Sequence, residues 1–169
     1  MHTLEIDEEG IRYDRFKLSL PFAVEEFENV FSATRKERVP LRLPNGDREL
    51  RFIMISDDCG IYYFRDESPP LIPSLSFCLF AGECPHSLGN SFPGHVTYES
   101  HVLDSSTTPE ILKKNGLTSS QPERGGWWTL KTRDLSLTLM FAHPLLKGIP
   151  SHRRWRLSQI AISCRILKS

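Results

Sequence analysis

Few side chains in this sequence have the type and spacing to do chemistry. Asp57 and Asp58 stand side by side ahead of Cys59 and Gly60. Two adjacent carboxylates in a turn could offer oxygen ligands to a divalent cation, but a usable site needs further carboxylates, and no calcium-loop spacing follows. The simpler reading is a hydrogen-bonded turn. Cys78, Cys84 and His86 could supply three soft ligands for zinc, yet their spacing is no regular finger or ribbon pattern and no second Cys or His pair completes it. Cys78 reads instead as a buried strand residue. His86, His95, His101, His143 and His152 leave a nucleophile dyad open. No Gly-x-Ser-x-Gly elbow, phosphate loop or dinucleotide fingerprint accompanies them, and no cysteine sits in a reactive helix-start context. The expectation is no catalytic residue, no bound metal and no cofactor.

Recognition chemistry is better represented. Trp127, Trp128, Trp155, Tyr62, Tyr63 and Tyr98 fall in or beside strand-like stretches. Neighbours in a strand point to opposite faces, so one of Trp127 and Trp128 and one of Tyr62 and Tyr63 are predicted to face outward. Exposed aromatic rings near arginines are the groups that anchor interfaces. The alternative is that each outward ring packs beneath a loop or helix. Two basic runs, Arg35-Lys36-Glu37-Arg38 and Arg153-Arg154-Trp155-Arg156, read as solvated loops or strand ends. The candidate contact set is therefore Asp57, Asp58, Tyr62, Trp127 and Trp128, with Arg153 and Arg154 as rim charges.

The elements that would position these residues can be read from period and punctuation. Thr3 to Asp7 alternates as a half-buried strand does, and Ile11 to Leu20 resumes the alternation with a slip near Asp14-Arg15 that predicts a bulge or tight turn. Pro21 ends that strand, and Phe22 to Phe31 reads as a helix with Ala23, Phe27, Val30 and Phe31 on one face. Arg35 to Asp47 reads as loop, because of Pro40, Pro44 and Asn45-Gly46. Leu50–Ser56 and Ile61–Arg65 form a predicted hairpin about Asp57-Asp58-Cys59-Gly60, followed by a strand over Leu75–Phe80. Glu83 to Pro93 is a Pro/Gly linker.

The order then recurs. His95–Leu103 reads as strand, Thr107-Thr108-Pro109-Glu110 carries helix-start chemistry, and Asn115-Gly116 stops that helix. Trp127–Thr132 and Leu135–Ala142 make a hairpin about Arg133-Asp134, and Trp155–Ile166 closes the chain with strict alternation, Trp155, Leu157, Gln159, Ala161 and Ser163 on one face and Ile160 and Ile162 on the other. The predicted fold is α+β: one domain of two similar strand–helix–hairpin–strand units (3–82 and 94–167), mostly antiparallel sheet and two short helices. Its expected core is Phe27, Phe31, Phe52, Phe77, Leu79, Leu137, Leu139, Ile160 and Ile162.

Composition narrows the class further. With 169 residues, 39% hydrophobic and 25% charged, the chain can bury a core and is not a disordered one. Basic and acidic residues balance at 21 each, which argues against a general nucleic-acid binder. Acids at Glu5, Asp7, Glu8 and Glu9 do not fit a signal peptide, and no apolar run approaches the roughly 20 residues that span a membrane. The four cysteines are expected to be reduced, and the compartment to be the cytoplasm.

Several short motifs carry a likeness. Leu4-Glu5-Ile6, Gly10-Ile11, Leu18-Ser19-Leu20, Phe27 and Phe31, Asp57-Asp58-Cys59-Gly60-Ile61 and Phe92-Pro93-Gly94 together resemble a family of uncharacterised small bacterial proteins found beside polymorphic or contact-dependent toxin genes. Ile55 and Ser56 stand before the aspartates, where that family often has an aromatic residue and an acid. The motifs encode turns and core positions, so the resemblance brings no catalytic residues. It implies an immunity-type or accessory protein that acts by binding another protein. Two other classes stay open: a carbohydrate or small-ligand binding domain using an aromatic sheet face, and a small hydrolase built on Asp57, Asp58 and a histidine.

Overall fold

A computed structural model of the chain describes residues 2–31, 35–42, 46–65, 71–79, 90–120, 126–142 and 156–164. The amino-terminal alternation folds as β1 (His2–Asp7), β2 (Gly10–Tyr13) and β3 (Phe16–Leu18), with Asp14 at φ 51° in the turn where the slip was read. Two later strands, β10 (Gly94–Tyr98) and β11 (His101–Leu103), complete a five-stranded sheet ordered β11-β10-β1-β2-β3. Its central pair, β1 and β10, is parallel. Glu99 and Ser100 both take positive φ between β10 and β11, where the sequence reading drew one continuous strand. Two left-handed residues in a two-residue loop match the right-handed twist of the strands they join.

A second sheet has seven strands. Its members are β5 (Arg35–Arg42), β6 (Arg48–Ser56), β7 (Ile61–Arg65), β9 (Ser74–Cys78), β12 (Trp127–Lys131), β13 (Leu135–Ala142) and β14 (Arg156–Cys164). The order across it is β12-β13-β14-β9-β7-β6-β5, antiparallel at every step. Two short strands, β4 (Phe22–Ala23) and β8 (Leu71–Ile72), pair alone. The helices are α1 (Val24–Glu28) and α2 (Pro109–Lys114). Neither is long and apolar enough to cross a membrane.

This architecture corrects the expectation of an α+β fold built from two strand–helix–hairpin–strand units: among the described residues the fold is mainly β, with three sheets and two helices of five and six residues. The helix read over Phe22–Phe31 shrinks because Phe22 and Ala23 are drawn into pairing with β8. Five residues hold too few intrahelical bonds to form a layer of their own. Arg35–Arg42, read as loop, is an edge strand. An edge tolerates Pro40, since one side of the strand needs no ladder donors, and a run of charges is a usual edge device. By contrast α2 keeps its sequence signals: the Thr108 hydroxyl accepts from the Ile111 N–H at 3.3 Å, and Gly116 follows its end at φ 77°. Of the expected linker, residues 83–89 lie outside the described residues.

The main core lies against the inner face of the seven-stranded sheet and holds Leu4, Ile6, Ile11, Val96 and Leu103 from the smaller sheet. Phe27, Phe31, Phe77, Leu137, Leu139, Ile160 and Ile162 are buried as expected, and Leu79 is partly buried. Phe52 is not a core residue. It sits near the sheet edge beneath two cations. A bulge adds a core residue that strict alternation missed. Leu157 pairs with Phe141 and Gln159 with Met140, so Ser158 is the extra residue and Leu157 turns inward. Cys59 and Cys164 are free thiols, whereas Cys78 is disulfide-bonded, which corrects the expectation of reduced cysteines.

Phe27 stacks on Phe31 at 4.6 Å and tilts against Tyr63 at 4.6 Å and Phe22 at 5.5 Å between ring centroids. Phe27→Ala is expected to lower stability by about 3–5 kcal/mol, the usual loss when a buried aromatic site is emptied. Urea denaturation measures it, and an unchanged midpoint would refute this packing. The Tyr63 hydroxyl is buried with no hydrogen-bond partner among the described residues. Tyr63→Phe removes that unpaired group and is expected to leave stability unchanged or raise it by up to about 1 kcal/mol.

Burial is also the first cause that pushes Tyr13, Tyr63 and Tyr98 up to about 12 from 10.0. Folding therefore favours their protonated forms. Their contribution is fully present below pH 10 and is lost as pH rises toward 12. Thermal melts should show the loss in that window, and Tyr63→Phe should make it shallower. A curve identical to the parent's between pH 10 and 12 would contradict the assignment.

Candidate interface on the seven-stranded sheet

Trp128 and Leu130 belong to the main core, so Trp127, Thr129 and Lys131 of the same strand point to the outer face. Trp127 is 61% exposed there. Its backbone register runs through Met140 and Gln159 to Cys78, whose N–H bonds the Gly60 carbonyl at 2.8 Å. Trp127 and the Asp57-Asp58 turn therefore lie at the same end of the sheet. Four strand spacings of about 4.8 Å separate them, roughly 19 Å in all. Arg156, the exposed first residue of β14, is at this end too.

A neighbouring row crosses the whole sheet: Thr129, Thr138, Ala161, Ser76, Tyr62, Ile55 and Arg35. Its β12 end is partly open, and its middle is buried at Ser76, Tyr62 and Ile55. Tyr62 accepts a hydrogen bond from the Gln159 amide, and the two form part of a polar interior on this face. Burial raises the Tyr62 phenol above its ordinary pKa, opposed by hydrogen bonding to Ser76 and Gln159. At the far end of the row, Arg35 grips Asp57 through Nε at 2.8 Å and Nη2 at 3.3 Å and also donates to Glu37. The Asp57 hydrogen bond is the leading reason that the guanidinium is held above its usual pKa.

The turn itself is shaped by backbone. Asp57–Cys59 make a 3-10 turn, and Gly60 follows in the left-handed region at φ 61°. A Cβ on Gly60 would lie 2.3 Å from the Phe92 nitrogen, so only glycine lets residues 90–92 close over the turn. Phe92 then packs between Tyr13 and Phe77.

The contact set read from sequence is thus redistributed. Trp127 and Asp58 are exposed. Asp57 is engaged by Arg35, Tyr62 is buried, and Trp128 is buried facing the core with the Lys113 ammonium 5.4 Å from its ring. Both Tyr62 and Tyr63 are buried, so neither supplies the outward ring expected of that pair. Arg153, Arg154, Cys84 and His86 lie outside the described residues, and Cys78 is engaged in its disulfide. No group of three His, Cys, Asp or Glu side chains among the described residues is placed to hold a metal ion. Lys36 and Arg38, read from sequence as part of a solvated basic run, instead hold their cationic groups 3.6 and 4.9 Å from the Phe52 ring centroid. Strand alternation would have put them on one face, with Glu37 between them on the other.

No protein-family model, no curated protein and no solved structure matches the chain. The functional reading rests on this geometry and on the short motifs above.

Trp127→Ala should change stability by no more than about 0.5 kcal/mol, while Trp128→Ala should lower it by about 3–5 kcal/mol. Chemical denaturation of the two variants side by side checks this. Equal losses would mean that the outward and inward rings have been interchanged.

Proposed function

We propose that this chain is a protein-binding module of the immunity type, which neutralises a cognate bacterial toxin by direct contact in the cytoplasm. The observation that supports it most directly is Trp127, a large aromatic ring left open on the outer face of a rigid antiparallel meander. Such rings supply contact area at little entropic cost and form interface anchors when a partner desolvates them. Asp58 and Arg156, exposed at the same end, serve as rim charges that steer association more than they add affinity. The Asp57–Arg35–Glu37 network braces the turn that presents Asp58. In the cytoplasm the Cys78 disulfide would meet a reducing pool, and thiol titration of freshly prepared protein reports whether it persists.

One feature favours a second reading. Thr129 and Thr138 form the next row on the face of Trp127 and are partly open, so hydroxyl groups lie beside an exposed indole. That is the chemistry of a sugar-stacking surface, and it supports the carbohydrate-binding alternative.

Co-expression with the product of the neighbouring gene separates the two. The expected outcome is a stoichiometric complex that protects host cells and is weakened by about 2 kcal/mol or more in Trp127→Ala. Absence of a complex, with saturable quenching of Trp127 fluorescence by a glycan, would replace the protein-binding reading with the carbohydrate one.

A further inference from the structure

A second surface lies at the opposite side of the same sheet from Trp127. Arg38, Phe52 and Arg65 stand side by side across β5, β6 and β7, and the next row on that face, toward the Arg42–Arg48 end of the hairpin, pairs Pro40 with Leu50. Leu50 is 64% exposed. Lys36 and Arg38 hold their cationic groups 3.6 and 4.9 Å from the Phe52 ring centroid. Neither of them, nor Arg65, makes an ion pair among the described residues. Glu28 of α1 and Arg65 both act on Tyr63, and Glu37 lies between Lys36 and Arg38 in β5 on the opposite face. β5 ends the sheet, so no strand lies beside its outer backbone edge among the described residues.

We propose that the β5 edge, with Lys36, Arg38 and Arg65 around Phe52, receives an acidic extended segment of another protein as an added strand. Alternate side chains of such a segment would point to one face, so acids at every second position would meet Lys36 and Arg38 while its backbone pairs with β5. Three features favour this occupant. Cations on β5 repel a second copy of the same strand, a usual guard against edge-to-edge pairing, but attract an acidic one. The Phe52 ring is already covered by Lys36 and Arg38, which removes it as a platform for stacking a nucleic-acid base. The smaller sheet carries Glu5 and Asp7, both within 3.1 Å of Arg12, on a neutral chain, a field that disfavours a long polyanion. This surface is independent of the Trp127 reading, and either can fail alone.

The test uses the full chain and a labelled ten-residue peptide alternating Glu with Val, followed by fluorescence anisotropy and backbone hydrogen exchange. The expected results are saturable binding that weakens with added salt, and slowed exchange confined to β5 amides among residues 35–39, since Pro40 has no N–H. Lys36→Glu with Arg38→Glu should weaken binding by at least about tenfold and shift preference to a Lys-Val peptide. Lys36→Gln with Arg38→Gln, which removes both charges but keeps polar side chains, should give a smaller loss with an unchanged circular-dichroism spectrum. Any of three outcomes would overturn the proposal: no binding by the acidic peptide, equal affinity in folded Gln variants, or no protection in β5. Binding of a single-stranded DNA oligomer or phosphatidylserine vesicles as tightly as the peptide would also overturn it, and would assign the patch to polyanions in general. Loss of the Trp127-dependent complex leaves these readouts untouched, so the two hypotheses stay distinguishable.

Discussion

The antiparallel pairing of β9 with β14 is the constraint on which the rest of the structure depends. It joins the meander of β5, β6, β7 and β9 to that of β12, β13 and β14 and so makes one seven-stranded sheet from distant parts of the chain. Its register places Phe77 beside Ile160 and Leu75 beside Ile162 on the inner face, and Cys78 beside Gln159 and Ser76 beside Ala161 on the outer one. A slip of one residue would exchange the two sets, moving the apolar pairs out of the core and the polar ones into it. Burial of that inner face against the smaller sheet therefore specifies the register. The register in turn brings Gln159 to Tyr62, 97 positions away in sequence.

The two edges of the sheet are treated differently, and both candidate surfaces follow from that. At β12 the chain closes its own edge: the Thr129 carbonyl accepts from the Ser120 N–H at 2.7 Å and hydroxyl at 3.1 Å, and its N–H bonds the Ser119 hydroxyl. With the Thr129 backbone satisfied at the middle of that edge, what β12 offers outward is side chains such as Trp127. At β5 the edge is guarded by charge and by Pro40, and among the described residues no strand lies beside it. An edge that shows an indole and an edge that carries charge suit different kinds of partner.

Much of the strand content was legible because alternation is a local signal. The hairpin of β12 and β13 about Arg133-Asp134, the turn at Asp57-Asp58-Cys59-Gly60, and the capped helix α2 all stand within a residue or two of where period and punctuation put them. The misreadings came where a distant partner overrode the local pattern. β8 claimed Phe22 and Ala23 from a helix, β6 made a strand of Arg35–Arg42, and a bulge at Ser158 reversed the side on which Leu157 lies. Fold class failed for the same reason, since it depends on how many short segments find partners rather than on what each prefers alone.

The candidate surface divides along the same line. Sequence by itself determined that Trp127 and Trp128 oppose each other, because successive strand side chains alternate, and that Gly60 is needed where the chain reverses. Only the tertiary structure decided which indole is open, because that turns on which face the smaller sheet covers. It also decided that both Tyr62 and Tyr63 are buried. Alternation guarantees that two neighbours face opposite ways, but it cannot say that both faces of the sheet are covered where they stand. Exposure is a property of what lies across the sheet, and that is set by contacts between residues far apart in the chain.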